Sequence, residues 1–218
     1  HGVGSVRFET SVRINLKLRI RQRSDILGVM LFAQAFSALT TSEHGLITHL
    51  QFLTESPIGD FFAVFAARWC VFLLVAWVIW SERTTKDSVT RHAMREAGWS
   101  GMFALLLALC LSSMIERDRP FFVLSDVHML IPMPLSQYSF PSAHTSFAFG
   151  VAFACLWGAR RAREILIPMM LAATVALGRV LVGVHYPSDV FAGLCLGGFA
   201  FAVVRTMHHL VRHIPKRV

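Results

Sequence analysis

Charge is scarce in this chain. Only 16% of its 218 residues are charged, whereas 55% are hydrophobic, and the mean hydropathy is +0.55. A soluble domain of this length needs more charge to cover its surface. The net charge of +8 comes from basic residues that lie between long apolar runs, unlike the evenly basic surface of a nucleic-acid-binding protein. The composition therefore favours a membrane protein and argues against a nucleic-acid partner.

Metal-ligand spacing is also lacking. Each cysteine lies inside an apolar run and none belongs to a CxxC pair; the four are Cys70, Cys110, Cys155 and Cys195. We therefore expect small buried hydrophobic residues, with neither a zinc site nor a disulfide. His208, His209 and His213 lie near the C-terminus, where no fourth ligand has suitable spacing. They are interpreted as interfacial residues, and no metal or cofactor is expected.

Long apolar runs are what the sequence has in place of charge. A bilayer core requires about 20 apolar residues per helix. Five runs reach or approach this length, and a sixth is shorter. The five are Phe61–Trp80, Gly98–Ile115, Ser142–Gly158, Glu164–Val184 and Asp189–His208, and the sixth is Ile26–Thr40.

The distribution of lysine and arginine predicts the topology. Four basic clusters lie at residues 7–23, 83–95, 160–163 and 212–217. Residues 41–60 contain neither lysine nor arginine. Basic loops stay in the cytoplasm, so the chain must cross the membrane between Arg23 and Glu43. We therefore expect six spans with both termini inside, and with the loops Glu116–Phe140 and Val184–Ser188 together on the outer face.

The expected fold class is all-α, a polytopic membrane bundle of about six transmembrane helices with its active site at the outer interface. Residues 1–25 would form a basic cytoplasmic segment, 26–208 the membrane domain and 209–218 a basic cytoplasmic tail. Within the first segment, residues 12–21 alternate apolar and polar side chains, which is typical of an extended strand. This stretch either lies on anionic lipid or forms an edge strand for dimerisation.

Three polar stretches interrupt the apolar pattern at the expected outer ends of helices. They read ERDRPF at 116–121, FPSAH at 140–144 and RVLVGVHYPSD at 179–189. Charged and imidazole groups at membrane depth are costly and therefore indicate function. A single arginine there is usually a snorkelling anchor, but three such stretches on one face indicate a site.

The residue types in these stretches suit phosphate. Pro141 and Pro187 each fit the first turn of a helix, so two helix N-termini would offer unpaired N–H groups to an anion. Arg119 and Arg179 add planar donors that match phosphate oxygens. No cluster of carboxylates is present to hold Mg²⁺.

His185 and Asp189 are four residues apart, so the carboxylate can orient the imidazole as the acid of a catalytic triad does. The other ring nitrogen of His185 is then available as a nucleophile toward phosphorus. His144, near the start of another helix, is placed to protonate the leaving oxygen.

Taken together, RPF at 119–121, PSAH at 141–144 and the R-x5-H-x3-D pattern from Arg179 to Asp189 resemble the three signature motifs of the type 2 phosphatidic acid phosphatase superfamily. The resemblance covers roughly residues 57–200. It implies that His185 forms a phosphohistidine, that Asp189 orients it and that His144 is the general acid. It also implies that Arg119, Arg179 and Ser142 hold the phosphoryl oxygens, without a metal.

Three longer stretches read LTESPIGDFFAVFAARW at 53–69, RPFFVLSDVHMLIP at 119–132 and GVHYPSDVFAG at 183–193. Through them the chain looks most similar, within the superfamily, to the bacterial undecaprenyl-diphosphatase branch. That resemblance implies hydrolysis of undecaprenyl diphosphate to the monophosphate, in an inner membrane and with the site facing the periplasm or exterior. The alternatives are a phosphatidate or phosphatidylglycerol phosphate phosphatase and a lipid phosphotransferase. The oligomeric state is left open.

The chain departs from the family pattern at two positions. Ser112 stands where the first motif has a lysine, and Gly178 stands where the third motif has a serine. Arg117 either replaces the lysine as a phosphate ligand or is a loop charge.

Arg68 interrupts an apolar span, and two interpretations apply to it. It either pairs with Asp60 or Glu116, or contacts the second phosphate of a diphosphate.

Overall fold

The computed structural model of this chain describes residues 43–132 and 138–212. The predicted span Ile26–Thr40 and the alternating stretch 12–21 lie outside the described residues. So does His213. The described part is helical, and its β-structure is confined to one isolated bridge between Asp118 and Tyr138.

Eight helices follow one another along the described chain. The first, α1, covers 43–51 and is followed by a 3₁₀ turn at Phe52–Thr54. The others are α2 (Pro57–Arg68), α3 (Cys70–Thr84), α4 (Ser88–Ile115), α5 (Pro120–Val123), α6 (Ala143–Gly158), α7 (Ala162–Leu181) and α8 (Pro187–Arg212).

Three of the described helices, α4, α7 and α8, are long and apolar enough to cross a membrane. The pair α2 and α3 reaches the required length together, with a bend of 47° between them. At 16 residues α6 is shorter than the roughly 20 residues of a full span. The chain is therefore an all-α integral membrane protein, as predicted, and the sixth predicted span falls outside the described residues.

Two predicted boundaries are wrong. The run Phe61–Trp80 is not one straight span, because the helix breaks at Trp69 between α2 and α3. The break contains neither proline nor glycine, so no sequence signal marks it.

The expected connection Arg83–Arg95 is mostly helical, since α4 begins at Ser88, ten residues before the predicted start. The Asp87 carboxylate caps this helix by accepting a hydrogen bond of 2.7 Å from the Thr90 N–H.

The cysteines are all free, as expected. Cys70 and Cys155 are buried in the bundle, but Cys110 and Cys195 are exposed on its outer surface. The expectation of burial is wrong for these two, because an apolar run in a membrane helix serves the lipid face as well as the protein core.

The bundle has two chemically different ends, which we name the site end and the basic end. The site end contains the 116–119 and 182–186 connections, and the basic end contains the 85–87 and 159–161 connections. With 28 residues, α4 separates these ends by about 42 Å. Leu130 donates a hydrogen bond from its N–H to the Val182 carbonyl, which joins the two loops of the site end.

Small residues bring α6, α4 and α8 close together around the bundle axis. A side chain on Gly150 would meet the Ser100 carbonyl oxygen of α4 at 2.8 Å. A side chain on Gly197 of α8 would meet the Gly150 nitrogen at 2.6 Å. Backbones that approach this closely gain van der Waals contact, which drives helix association where lipid replaces water.

Adjacent glycines of α8 provide a test of this packing. We expect Gly197→Ala to destabilise the protein by about 1–3 kcal/mol, because the new methyl group overlaps the backbone of α6. Gly198→Ala is the control, since its nearest neighbour would lie at 3.4 Å and alanine favours a helix. Thermal unfolding in detergent should show a lower melting temperature for the first variant alone. Equal melting temperatures would contradict the close approach.

Candidate active site

A cavity of about 400 Å³ at the site end brings the predicted catalytic groups together. His144, His185, Arg119 and Arg179 all line it, although they come from three separate stretches of the chain. The rest of the wall is largely apolar and includes Leu105, Leu109, Ile131, Pro132 and Pro141. The site thus combines cationic side chains with a largely apolar wall.

The two helix N-termini differ from the prediction in one respect. Pro187 is the first residue of α8, as expected, but Pro141 lies two residues before α6 begins at Ala143. Ser142 is the buried N-cap of α6, and its N–H donates to the Asp189 carbonyl at 3.1 Å. Its hydroxyl accepts a hydrogen bond of 3.0 Å from Thr145. The backbone bond from Ser142 to Asp189 fixes the start of α6 against the first turn of α8.

The contacts of His185 determine its tautomer. Arg119 Nη1 lies 3.3 Å from His185 Nε2, and a guanidinium can only donate. Nε2 therefore carries the lone pair, and the ring proton lies on Nδ1. Nδ1 faces Asp189 Oδ2 at 3.5 Å. Nε2 is therefore the ring nitrogen with the electron pair that a nucleophile toward phosphorus requires.

Burial and neighbouring cations keep His185 neutral. Its pKa lies well below the usual value of a histidine, mainly because the ring is desolvated and further because Arg179 and Arg119 are close. Burial likewise lowers the pKa of Arg119 to about 10, which leaves this guanidinium charged at neutral pH. The imidazole thus stays in its nucleophilic form beside cations that attract a phosphate dianion.

Asp189 is fully buried, and groups other than His185 hold its carboxylate. One carboxylate oxygen forms an ion pair with Arg117, and the other accepts a hydrogen bond of 2.8 Å from the Tyr186 N–H. The Arg117 guanidinium also lies 3.8 Å from the centre of the Tyr186 ring. These contacts fix the carboxylate that faces His185.

Glu43 of α1 completes this network, and sequence reasoning did not find it. Its carboxylate accepts from Arg117 Nη2 at 3.0 Å and from the Ser188 hydroxyl at 2.9 Å, and it also accepts from the Ser188 N–H. Arg117 does not line the cavity, so its placement favours positioning Asp189 over contacting phosphate. Glu43 was overlooked because it lies 74 residues from Arg117 and 145 from Ser188 and belongs to no motif.

Two further arginines face the cavity. Arg179 is buried, and among the described residues its Nε has no hydrogen-bond partner. Arg68, the last residue of α2, lines the same cavity, as does Ser112. No ion pair of Arg68 with Asp60 or Glu116 occurs in the described part of the chain. Both side chains are thus available to an anionic ligand.

The fold and the motifs agree with the comparison to known proteins. The model of the PAP2 superfamily matches residues 94–212, which contain all three motifs. This match covers more than half of the chain, so the chain belongs to the PAP2 superfamily.

Individual relatives cover different parts of the chain. It is 39% identical to the decaprenylphosphoryl-5-phosphoribose phosphatase of Mycobacterium tuberculosis over 108 residues, which are 50% of this chain and 57% of that protein. It is 31% identical to the undecaprenyl-diphosphatase BcrC of Bacillus subtilis over 164 residues, 72% of this chain and 78% of that protein. Among solved structures, a transmembrane PAP2-type phosphatidylglycerolphosphate phosphatase from Bacillus subtilis superposes with a TM-score of 0.58 at 21% identity, covering 83% of this chain and 90% of that one.

A substitution at Glu43 tests the positioning network. We expect Glu43→Gln to lower kcat about tenfold with KM unchanged, because it weakens the hold on Arg117 and hence on Asp189. Glu55→Gln, an exposed carboxylate at the same end, is the matched control and should leave both constants unchanged. Steady-state kinetics and a melting curve of each variant are the measurements. A change in KM alone would show that Glu43 acts on substrate binding instead.

Proposed function

We propose that this chain hydrolyses a lipid phosphate through a phosphohistidine, with no metal ion at the phosphate site. The observation that carries this proposal is the cavity in which His144, His185 and Arg179 meet. Its cationic groups suit a phosphate, and its apolar wall suits the hydrocarbon that follows the phosphate. A lipid phosphate combines these two features.

In the first step, the Nε2 lone pair of His185 attacks phosphorus. The bond from phosphorus to the leaving oxygen breaks, and that oxygen takes a proton from the imidazolium form of His144, which the bound phosphate dianion stabilises. In the second step, a water molecule gives a proton to His144 and attacks phosphorus. The phosphorus–nitrogen bond then breaks, its electron pair returns to Nε2, and phosphate leaves.

Charge that develops on the phosphoryl oxygens is stabilised by groups already in place. We assign this role to the guanidinium groups of Arg119 and Arg179 and to the N-terminus of α6 at Ser142. Because these groups are held by packing and hydrogen bonds, they need little reorganisation during the reaction. Asp189 balances the positive charge that forms on His185.

Undecaprenyl diphosphate is the substrate we propose. The BcrC relative supports it, because its similarity extends over most of both chains. Arg68 supports it further, since it lies in the cavity and can meet a second phosphate. Phosphatidate, phosphatidylglycerol phosphate and a phosphotransfer reaction are the alternatives, because the relatives act on several kinds of lipid phosphate according to their names.

We also propose that the site end faces the periplasm or exterior of a bacterial inner membrane. The support is the positive-inside rule, because Lys86 and the described arginines outside the site cluster at the basic end. In a cysteine-free variant, Ser125→Cys should react with an impermeant reagent in intact cells and Lys86→Cys should not. Labelling of Lys86→Cys and not of Ser125→Cys would show that the site end faces the cytoplasm.

The two histidines are distinguished by the covalent adduct. We expect His185→Ala to abolish phosphate release and to leave no phosphoenzyme, because the nucleophile is missing. His144→Ala should slow release by about 10²- to 10⁴-fold and form the adduct slowly. The loss of rate in His144→Ala should be smaller with p-nitrophenyl phosphate, because its leaving group needs little protonation. The measurement is the labelled protein trapped by a rapid acid-free quench.

His128→Ala is the matched control for this experiment. His128 is an exposed histidine at the same end and lines a different cavity. It should release phosphate at the rate of the unmodified protein. An adduct in His185→Ala that is absent from His144→Ala would reverse the two roles.

The role of Arg68 is tested by comparing two substrates in one variant. We expect Arg68→Ala to raise KM about tenfold for undecaprenyl diphosphate, because a charged hydrogen bond to the second phosphate is lost. For a lipid monophosphate, KM should stay nearly constant. Phosphate release from both lipids provides the measurement. An equal rise in KM for the two lipids would assign Arg68 to general packing or to the first phosphate.

A further inference from the structure

Three ligand-type side chains converge at the basic end, far from the phosphate site. His92 and Glu96 are four residues apart on one face of α4, and His208 faces them from α8. His92 Nε2 lies 2.9 Å from Glu96 Oε1, and His208 Nδ1 lies 3.0 Å from the same oxygen. The three ligand atoms all lie within 4.8 Å of one another. Both imidazole rings thus point at one carboxylate oxygen.

We propose that His92, Glu96 and His208 form a binding site for a divalent transition-metal ion of the Zn²⁺ class. Two imidazoles and a carboxylate are a known zinc ligand set, with bonds of about 2.0–2.2 Å. Tetrahedral geometry with such bonds separates ligand atoms by about 3.3 Å. The pairs that meet at 2.9 and 3.0 Å need to open by only a few tenths of an ångström. An ion therefore fits with small side-chain movements.

The surroundings leave room for the remaining ligand. A cavity of about 540 Å³ borders the cluster and is lined by His92, Glu96, Arg205 and Trp157. Glu96 is 1% exposed, whereas both histidines are about one-third exposed, and His92 lines this cavity. An ion can enter from the cavity, and water can occupy its fourth position.

Arg205 determines how tightly this site holds an ion. Its Nη1 lies 3.0 Å from Glu96 Oε1 and 3.3 Å from Oε2, and its guanidinium lies 5.2 Å from the centre of the Trp157 ring. Without an ion, Arg205 and the two histidines donate to Glu96, which is a plain buried ion-pair network. With an ion on Oε1, Arg205 retains Oε2 and orients the carboxylate. As a nearby cation it also weakens binding of the metal.

An ion at this position would connect two helices that lead to the active site. At their far ends, α4 is followed by the segment containing Arg119, and α8 begins two residues before Asp189. Binding to the folded protein alone shifts the unfolding equilibrium toward the folded state. The site is therefore inferred to stabilise the bundle and takes no part in phosphoryl transfer.

The experiment is Zn²⁺ titration of the full chain in detergent after chelator treatment and removal of the chelator. We expect one tight equivalent by calorimetry and a higher melting temperature, with no comparable effect of Mg²⁺, which prefers oxygen ligands. His92→Ala and His208→Ala should each weaken Zn²⁺ binding about tenfold or more. His209→Ala, an exposed histidine next along α8, is the matched control and should bind as the unmodified protein does.

Arg205→Gln separates a metal site from a plain ion-pair network. We expect it to tighten Zn²⁺ binding, because it removes a competing cation while leaving all three ligands. Melting curves of the metal-free variants show whether each one is folded before titration. Absence of a tight equivalent, or equal Zn²⁺ affinity in His208→Ala and the unmodified protein, would overturn the proposal.

EDTA distinguishes this proposal from the proposed function. It should lower the melting temperature while phosphate release continues at temperatures well below melting. Loss of phosphate release in EDTA with intact folding would refute the metal-free phosphate site. The metal site at the basic end would then still be decided by the Zn²⁺ titration of its variants.

Discussion

The buried carboxylate of Asp189 is the contact on which the site end depends. It accepts from Arg117 and from the Tyr186 N–H, and it faces His185. Its backbone carbonyl receives the Ser142 N–H. A carboxylate without water is stable only when its charge is paired and its oxygens are hydrogen-bonded. Three segments of the chain, around Arg117, Ser142 and residues 185–189, are therefore held together by the need to satisfy one acidic group.

This arrangement also explains how the site combines rigidity with reactivity. Arg117 neutralises Asp189 from the side away from the cavity, and Glu43 holds Arg117 in turn. Arg119 and Arg179 lie on the cavity side, where their excess positive charge faces the incoming anion. Arg117 lies between two carboxylates, so these three groups together carry one excess negative charge, whereas the arginines on the cavity side carry excess positive charge. A preorganised site of this kind favours a negatively charged transition state without rearranging.

The two ends of α4 and α8 carry charge clusters of different design. At the site end, cations outnumber acidic groups around an apolar-walled cavity. At the basic end, Glu96 accepts from Arg205 while two imidazoles face it. Between the ends the helices meet through small residues such as Gly150 and Gly197, so their backbones are in direct contact. Close packing of this sort transmits a constraint at one end along the whole length of the helix.

The sequence alone determined the fold class, the membrane location and the motif residues. Apolar runs of span length have one physical solution in lipid, because backbone N–H and C=O groups must pair within each helix. Arg119, His144, Arg179 and His185 were recognisable because charge at membrane depth is costly and their short-range spacing is specific.

Tertiary structure decided the remainder. Four features depend on which helix faces which. They are the break at Trp69, the exposure of Cys110, the ion pair of Glu43 with Arg117 and the approach of His92 to His208. Local periodicity specifies that a helix forms and which residues share a face. It does not specify the neighbour of that face, since lipid and protein interior are equally apolar. Contacts between residues more than 70 positions apart are set by packing of the whole bundle, and no short pattern in the sequence records them.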